Sequence, residues 1–421
     1  MTSLPTPRSR VHRLIDSRVA QWSAFVVVHI VVIGLALLAS QGALGDVGSI
    51  YRPLALHAER GFVPGIDGPW VYPLLAWAPI LAPLVFGNSG YIAGWLVLVV
   101  AADAVGFAAL TVRGDHRRVR AAWWWLGFSV LLGPIAVSRL DTISVPLVIL
   151  ALLWLGSRPR SAAVLLTIAT WIKVWPAAVL VALVVASRNR RVVAVTAVLT
   201  SAAVVVVALI LGAGANVYSF VTAQADRGLQ VEAPVSTGWM WQASAGRSGA
   251  AVYYDRSLNT FEVSGHGVQL AAMLMTPLLA VAVIALVALG VRATRAGVGT
   301  SQLLPPLTLA LVTAMVVFNK VGSPQYLLWF AAPVVIGLVH QGRRFRIPAV
   351  LVAAAATLTQ GFYPYLYGSL LRTDPGLLLV LTARNLVLLA VLGWSLWSLI
   401  TVAGPIRVSW SSSPSHTRTT R

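Results

Sequence analysis

The chain has 421 residues, of which 58% are hydrophobic and only 10% are charged, and it contains no cysteine. Soluble domains carry about 25% charged residues, so this composition excludes a water-soluble fold and predicts a membrane protein. Without cysteine there is no disulfide framework, thiol nucleophile or cysteine-ligated metal site. The net charge of +19 would suggest nucleic-acid binding in a soluble protein. Here the arginines lie between apolar runs, where they set membrane orientation, so no nucleic-acid partner is expected.

Apolar segments follow one another along the whole chain, and about 12 transmembrane helices (11 to 13) are predicted, because short spans are tolerated inside a bundle. The fold class is therefore an all-α polytopic membrane protein. Residues 21–405 are predicted to form one transmembrane domain, between a basic cytoplasmic arm (1–20) and a disordered cytoplasmic tail (406–421). The predicted spans are residues 21–42, 91–112, 121–138, 142–156, 161–173, 174–187, 192–212, 268–290, 302–318, 325–339, 347–361 and 377–402.

The arginine distribution predicts the orientation of these spans. With a cytoplasmic N-terminus, the alternate loops hold most of the 31 basic residues and only Asp16 and Asp115 of the 12 acidic ones. This agrees with the positive-inside rule only if segment 161–187 turns back at "KVWP" and segment 72–86 does not cross. Both termini are then cytoplasmic, and the outer loops include 43–90 and 213–267.

Both lysines of the chain, Lys173 and Lys320, lie on the predicted outer face together with Arg139. A charge near the membrane costs about 2.5–3.5 kcal/mol on insertion scales, so each cation needs a partner or a ligand. Each lysine alone is explained equally well by snorkelling or by an ion pair between helices. Three cations on one face favour a site for a phosphate.

The first outer loop predicts an amphipathic helix on the membrane surface. Ile50, Tyr51, Leu54 and Ala58 recur at helical spacing, with charged residues on the opposite side. Asp46 precedes this helix, and Asp67 follows in a turn rich in glycine and proline. A carboxylate such as Asp46 is either a solvated helix cap or a general base over a lipid-borne substrate, and this setting favours the base.

Two further polar residues, His29 and Asp103, lie within predicted spans, where a hydrogen bond between helices is the expected role. The sequence contains no P-loop, no dinucleotide-binding glycine pattern, no H-E-x-x-H and no D-x-D pair. We therefore expect no cofactor and a metal-independent reaction. Trp239 and Trp241 in the second outer loop suit either sugar rings or interfacial anchoring.

Several segments resemble the GT-C superfamily of integral membrane glycosyltransferases, specifically the glycosyltransferase family 87 type. They are "GDVGSIYRPLA", "GFVPGIDGPWVYP", "RLDTISVPLVILAL", "KVWPAA", "DRGLQVEAPVST" and "NKVGSPQYLLWFAAP". Members of this family include actinobacterial mannosyltransferases that use polyprenyl-phosphate-mannose. The resemblance implies a GT-C fold, a bacterial plasma-membrane location, an outward-facing active site, a polyprenyl-phosphate-sugar donor and a lipid or glycan acceptor.

The resemblance also implies an acidic residue of the first outer loop that deprotonates the acceptor, and by position this is Asp46. Lys320, Lys173 and Arg139 are predicted to bind the donor phosphate. The chain departs from the family at "VYPLL", which lacks a second proline, and before Asp67, where an aromatic residue is missing; both differences concern acceptor fit. The predicted substrate-binding residues are Asp67, Tyr72, Asp141, Arg227, Gln230, Glu232, Asn319, Gln325 and Tyr326.

Two other classes of protein are compatible with a polytopic chain. A transporter or flippase of a lipid-linked precursor also carries paired charges near broken helices, but it needs ionisable residues near the midplane and on both faces. A scaffold subunit of an envelope complex would not explain the clustering on one face. An enzyme is therefore the preferred interpretation. The sequence leaves open the acceptor, the linkage position and a donor sugar other than mannose.

Overall fold

The computed structural model describes residues 17–39, 42–112, 114–223, 227–256 and 258–404. Most of the predicted basic arm, the whole polar tail and Asp226 lie outside the described residues. The twelve helices that correspond to the predicted spans are named α1 to α12 in chain order. They are α1 (Arg18–Leu38), α2 (Tyr91–Thr111), α3 (His116–Leu132), α4 (Leu140–Trp154), α5 (Pro159–Ile172), α6 (Pro176–Ala186), α7 (Arg190–Ile210), α8 (Val268–Arg295), α9 (Thr300–Val317), α10 (Ala331–Gln341), α11 (Arg346–Phe362) and α12 (Pro375–Ala403).

Shorter elements connect these helices. The α-helical ones are Arg52–Glu59, Trp77–Leu81, Ser219–Thr222, Thr237–Ser244 and Tyr367–Leu371, and a π-helical turn spans Asp46–Tyr51. The 3₁₀ segments are Leu74–Ala76, Ala82–Phe86, Gly133–Val137, Gly214–Tyr218, Pro234–Ser236, Pro324–Phe330 and Gly342–Phe345. The predicted second outer loop also contains an antiparallel hairpin of β1 (Ala251–Asp255) and β2 (Thr260–Ser264), which was not predicted.

Within the described residues, eight helical segments are long and apolar enough to cross a membrane. Helices α4, α5 and α6 are shorter apolar helices of 10 to 17 residues. The predicted all-α, multi-pass membrane protein is therefore confirmed, whereas the number of crossings stays a prediction. Apolar side chains of α1, α7 and α8 are exposed, for example Ile30, Val198 and Ile284. Such faces are expected where lipid, rather than water, surrounds the helices.

The chain reverses between α5 and α6, as predicted from "KVWP". Helix α5 ends at Ile172, and α6 begins at Pro176, a residue suited to the first turn of a helix because it lacks a backbone N–H. Gly156, just before α5, and Ser187, just after α6, line the same cavity. Both ends of the helix pair therefore lie at one end of the bundle, and the turn at Lys173 lies at the other.

Segment 72–86 was predicted not to cross the membrane, and its packing agrees with this. The hydroxyl of Tyr91, at the start of α2, donates a hydrogen bond to the carbonyl of Ile80 at 2.8 Å. A side chain on Gly94 would clash with Phe86 and with the backbone of Pro83. The segment therefore folds back against the beginning of α2.

Helices α4 and α9 form much of the bundle interior, since 12 of the 15 residues of α4 and 14 of the 18 residues of α9 are buried. Close packing between helices depends on glycine at two points. A Cβ on Gly106 of α2 would lie 2.8 Å from Pro146 of α4, and one on Gly337 would lie 2.1 Å from the buried ring of Phe345. His29 and Asp103 join α1 to α2 through a contact of 3.2 Å between Nε2 and Oδ2, which confirms the predicted interhelical hydrogen bond.

Candidate active site

Predicted site residues meet at the end of the bundle that contains the start of α4 and the turn after α5. We call this the site end. The opposite end, which contains Arg118, Gly156, Arg188 and His340, is called the arginine end. The predicted outer loops also meet each other at the site end. The backbone N–H of Trp70 donates to the hydroxyl of Ser219 at 2.8 Å.

Asp46 opens the π-helical turn that follows α1, and its carboxylate faces Arg139. Arg139 Nε lies 3.4 Å from Asp46 Oδ2, and the Asp46 side chain keeps 28% of its surface exposed. The other guanidinium nitrogens are also occupied: Nη1 donates to the carbonyls of Ala43 and Ser138, and Nη2 donates to the Tyr363 hydroxyl at 2.6 Å. Arg139 therefore fixes Asp46 from one side and leaves its carboxylate open on another.

The amphipathic helix predicted after Asp46 is present at Arg52–Glu59. Its apolar side packs on the protein, because Ala55 is fully buried, as is Tyr51 at the end of the preceding π-helical turn. The Tyr51 ring lies 5.2 Å from that of Trp95 in α2, and its hydroxyl accepts a hydrogen bond from Leu140 N. Tyr51 therefore anchors the turn that carries Asp46 to α2 and to the start of α4.

Lys173 and Asp141 form a second, more deeply buried ion pair. Lys173 Nζ lies 3.2 Å from Asp141 Oδ2, and the side chains are 11% and 0% exposed. The contact is an ion pair without hydrogen-bond geometry, since Oδ2 has no hydrogen-bond donor among the described residues. Trp329 Nε1 donates to the other oxygen at 2.5 Å. Lys173 also lies 4.7 Å from the centre of the Tyr72 ring, a distance at which a cation is attracted to the ring face.

The segment 319–330 supplies several predicted residues, and the structure assigns some of them local contacts. Asn319 Oδ1 accepts a hydrogen bond from Val321 N. Lys320 is buried, and its carbonyl accepts a hydrogen bond from Gln230 N at 3.0 Å. Tyr326 stacks on Trp329 with ring centres 4.0 Å apart, which places it beside the Lys173–Asp141 pair. Gln325 has a buried Oε1 with no hydrogen-bond partner among the described residues.

The predicted second outer loop brings Gln230 and Glu232 into the buried region. Glu232 Oε1 accepts a hydrogen bond from the Tyr367 hydroxyl at 2.6 Å. Burial raises the pKa of the Glu232 carboxyl, and the bond from Tyr367 and the charge of Arg384 only partly offset this effect. Arg227 lies in the same loop, with a buried Nε that has no hydrogen-bond partner among the described residues.

Asp67 is not brought into this cluster by any contact that the structure shows. It is exposed, and its Oδ2 accepts a hydrogen bond from Val63 N at 2.6 Å within its own turn. This contact is a local turn bond of the kind that aspartate commonly forms. A direct role for Asp67 in substrate binding stays a prediction.

Three further residues at the candidate site were not predicted from the sequence: Tyr363, Tyr367 and Arg384. The tyrosines contact Arg139 and Glu232, as described above. Arg384 is fully buried in α12 and donates from Nη2 to the carbonyl of Gly322 at 3.4 Å. Its position was readable from the sequence, because an arginine within a long apolar span usually has a functional or pairing role. Nothing in the sequence around the two tyrosines indicated a comparable role.

The structure thus defines a helical, multi-pass membrane protein with a half-open carboxylate and a buried ion pair at one end of its bundle. Residues 70–248 match the family model described as Glycosyltransferase family 87. The predicted resemblance to this family is confirmed over that stretch, which contains Arg139, Asp141 and Lys173, while Asp46 and Lys320 lie outside it. These findings support a membrane glycosyltransferase.

Among solved structures, the chain is similar to the crystal structure of ArnT from Cupriavidus metallidurans in the apo state. The TM-score is 0.45 and the sequence identity is 14%, and the alignment covers 92% of this chain and 78% of that chain. A similarity of this extent supports no transfer of function. No curated protein matches the sequence.

Proposed function

We propose that this membrane glycosyltransferase transfers mannose from a polyprenyl-phosphate donor to a hydroxyl of a lipid or glycan acceptor at the outer face of a bacterial plasma membrane. The observation that carries the proposal is the Asp46–Arg139 pair. It combines an accessible carboxylate with a guanidinium that holds it in place. A general base needs this combination, because it must reach the proton and keep its orientation.

In the proposed reaction, Asp46 accepts the proton of the acceptor hydroxyl while that oxygen attacks the anomeric carbon of the donor sugar. The bond from that carbon to the phosphate oxygen breaks on the opposite face, so the configuration inverts. The polyprenyl phosphate leaves with an additional negative charge. Lys173 and Lys320 would stabilise this charge, since fixed cations in a buried site favour a developing anion.

From the sequence, Arg139 was predicted to bind the donor phosphate, and in this scheme it has a different role. Its nitrogens already contact Asp46, two backbone carbonyls and Tyr363. We therefore assign it to positioning Asp46 and to the electrostatic field around the phosphate. Lys173 can still donate hydrogen bonds to a phosphate besides its contacts with Asp141 and the Tyr72 ring, because an ammonium carries three N–H groups.

The proposal is tested by a transfer assay with the purified protein in lipid. Radiolabelled polyprenyl-phosphate-mannose and GDP-mannose are supplied separately, with a membrane lipid extract as acceptor. Transfer is expected from the lipid donor only, and a chelator is expected to have no effect. Asp46→Asn should lower the rate about 10²–10⁴-fold, the usual contribution of a general base.

Glu59→Gln is the matched control, because Glu59 is an exposed carboxylate at the end of the helix that follows Asp46. It should transfer at the wild-type rate. An Asp46→Asn rate within threefold of wild type would exclude Asp46 as the base. No transfer from either donor would contradict mannose transfer and would favour another lipid-linked sugar or a transporter.

A further inference from the structure

The arginine end of the bundle contains a cavity of about 600 Å³. Its wall is formed where the beginnings of α3 and α9, the ends of α4 and α10, and the turn between α6 and α7 come together. Asp141 and Gly156 flank α4 at its two ends, so this cavity is separated from the candidate active site by the length of that helix. Nothing in the proposed transfer reaction uses it.

The charged groups on the cavity wall are cationic or titratable to a cation. Arg118 and Arg188 line it together with His340, and no aspartate or glutamate is among its lining residues. In the described part of the chain, neither arginine forms an ion pair with a carboxylate. Asp115 is near Arg118, but its Oδ1 accepts hydrogen bonds from the backbone of Arg117 and Arg118 and thereby caps α3.

Backbone carbonyls that border the cavity already accept hydrogen bonds from the protein. Thr300 Oγ1 donates to the carbonyl of Ala186 at 2.8 Å, and Arg117 Nη1 donates to the carbonyl of His340 at 3.3 Å. Helix α9 begins at the cavity without a side-chain cap. The partial positive charge at the start of α9 is offset by the partial negative charges at the carboxyl ends of α4 and α10. The two guanidinium groups therefore determine that the net charge of the cavity is positive.

The remaining wall is mixed, and this bears on the kind of anion that fits. Ser187, Asn189, Thr300 and Ser301 supply polar groups, whereas Leu153 and Val339 supply apolar surface that is only partly buried. A free phosphate ion would leave this apolar surface in contact with water. An amphiphile would place its phosphate at the arginines and its glycerol and first methylenes against the leucine and the valine.

We propose that this cavity binds the phosphate-bearing headgroup of an anionic phospholipid. The site is independent of the donor site, because it lies at the opposite end of the bundle. Its ligand would come from the surrounding bilayer, where arginine-rich segments next to a span are attracted to anionic lipids.

The test is native mass spectrometry of the full-length protein in detergent, with equal amounts of phosphatidylglycerol and phosphatidylcholine. The wild type should retain phosphatidylglycerol preferentially. Arg118→Gln with Arg188→Gln should lower this preference on the order of tenfold. Arg160→Gln with Arg191→Gln removes the same charge at the same end from exposed positions outside the cavity lining, and it should leave the preference unchanged.

A second variant tests the cavity itself rather than the charge. Gly156 lines it, and a Cβ there would meet no atom within 4 Å. Gly156→Leu should therefore fill the space without strain and reduce lipid retention, whereas Gly127→Leu, at another open position, should not. Equal retention by the wild type and both cavity variants would overturn the proposal. So would saturation of the site by millimolar inorganic phosphate alone, since that result would identify a free-phosphate site.

Discussion

Four charged side chains of the candidate site form two ion pairs, Asp46 with Arg139 and Asp141 with Lys173, and this pairing decides what a single substitution does. Lys173 and Asp141 are separated by 32 positions and come together only because the α5–α6 turn returns to the start of α4. The sequence predicted that each lysine needs a partner or a ligand. It could not decide between them, because the partner of Lys173 depends on helix packing rather than on spacing along the chain.

The Lys173–Asp141 pair gives the first prediction at the residue scale. Asp141→Asn should destabilise the protein by about 3–5 kcal/mol, because it leaves a buried ammonium without its counterion. Lys173→Met in the same chain should restore much of the loss, since a neutral pair no longer buries a charge. Thermal unfolding in detergent measures both effects. Additive losses in the double variant would show that the two side chains are not coupled.

Glu232 gives a prediction of pH dependence. Because burial raises the pKa of this carboxyl in the fold, the native state binds its proton more tightly than the unfolded state does. Its contribution to stability is complete below the ordinary pKa and is lost as the pH rises through the folded-state pKa. Glu232→Gln should remove this part of the pH dependence of the unfolding temperature. The exposed Glu59→Gln should retain it, and an identical pH profile for wild type and Glu232→Gln would contradict the assignment.

At the scale of elements, apolar runs and their interruptions predicted most of the structure. Each predicted span overlaps with one of the helices α1 to α12, and the reversal before Pro176 was predicted from the positive-inside rule. The β1–β2 hairpin and the π-helical turn at Asp46 were not predicted. The hairpin strands are only five residues each, and a π-turn has no sequence pattern of its own.

Helix packing supplies the prediction at this scale. Gly106 lets α2 approach α4, so Gly106→Leu should push both Pro146 and Trp125 away from α2. Overpacking of this kind costs about 1–3 kcal/mol. Gly393 in α12 has open space around its Cβ position, so Gly393→Ala should be neutral or slightly stabilising. Unfolding temperatures in one detergent compare the two, and equal values would contradict close packing of α2 on α4.

For the whole molecule, the charge asymmetry between the two ends predicts the orientation in the membrane. The chain has no cysteine, so a single introduced thiol gives a signal without background. A membrane-impermeant maleimide should label His266→Cys, in the second outer loop, on intact cells. It should label Arg160→Cys, at the arginine end, only after the membrane is opened. The reverse pattern would invert the topology and place the candidate site in the cytoplasm.

The lengths of the helices that carry the site have a consequence for the bilayer itself. Helix α5 has 14 residues and therefore rises about 21 Å, whereas the hydrocarbon core is about 30 Å thick. If α5 starts at the headgroups of the arginine end, Lys173 lies about 9 Å below the opposite headgroups. The 29 residues of α12 rise about 44 Å and exceed the core. In the proposed reaction the donor phosphate would therefore descend below the lipid surface, into a local depression walled by taller helices, and the reaction rate should respond to bilayer thickness.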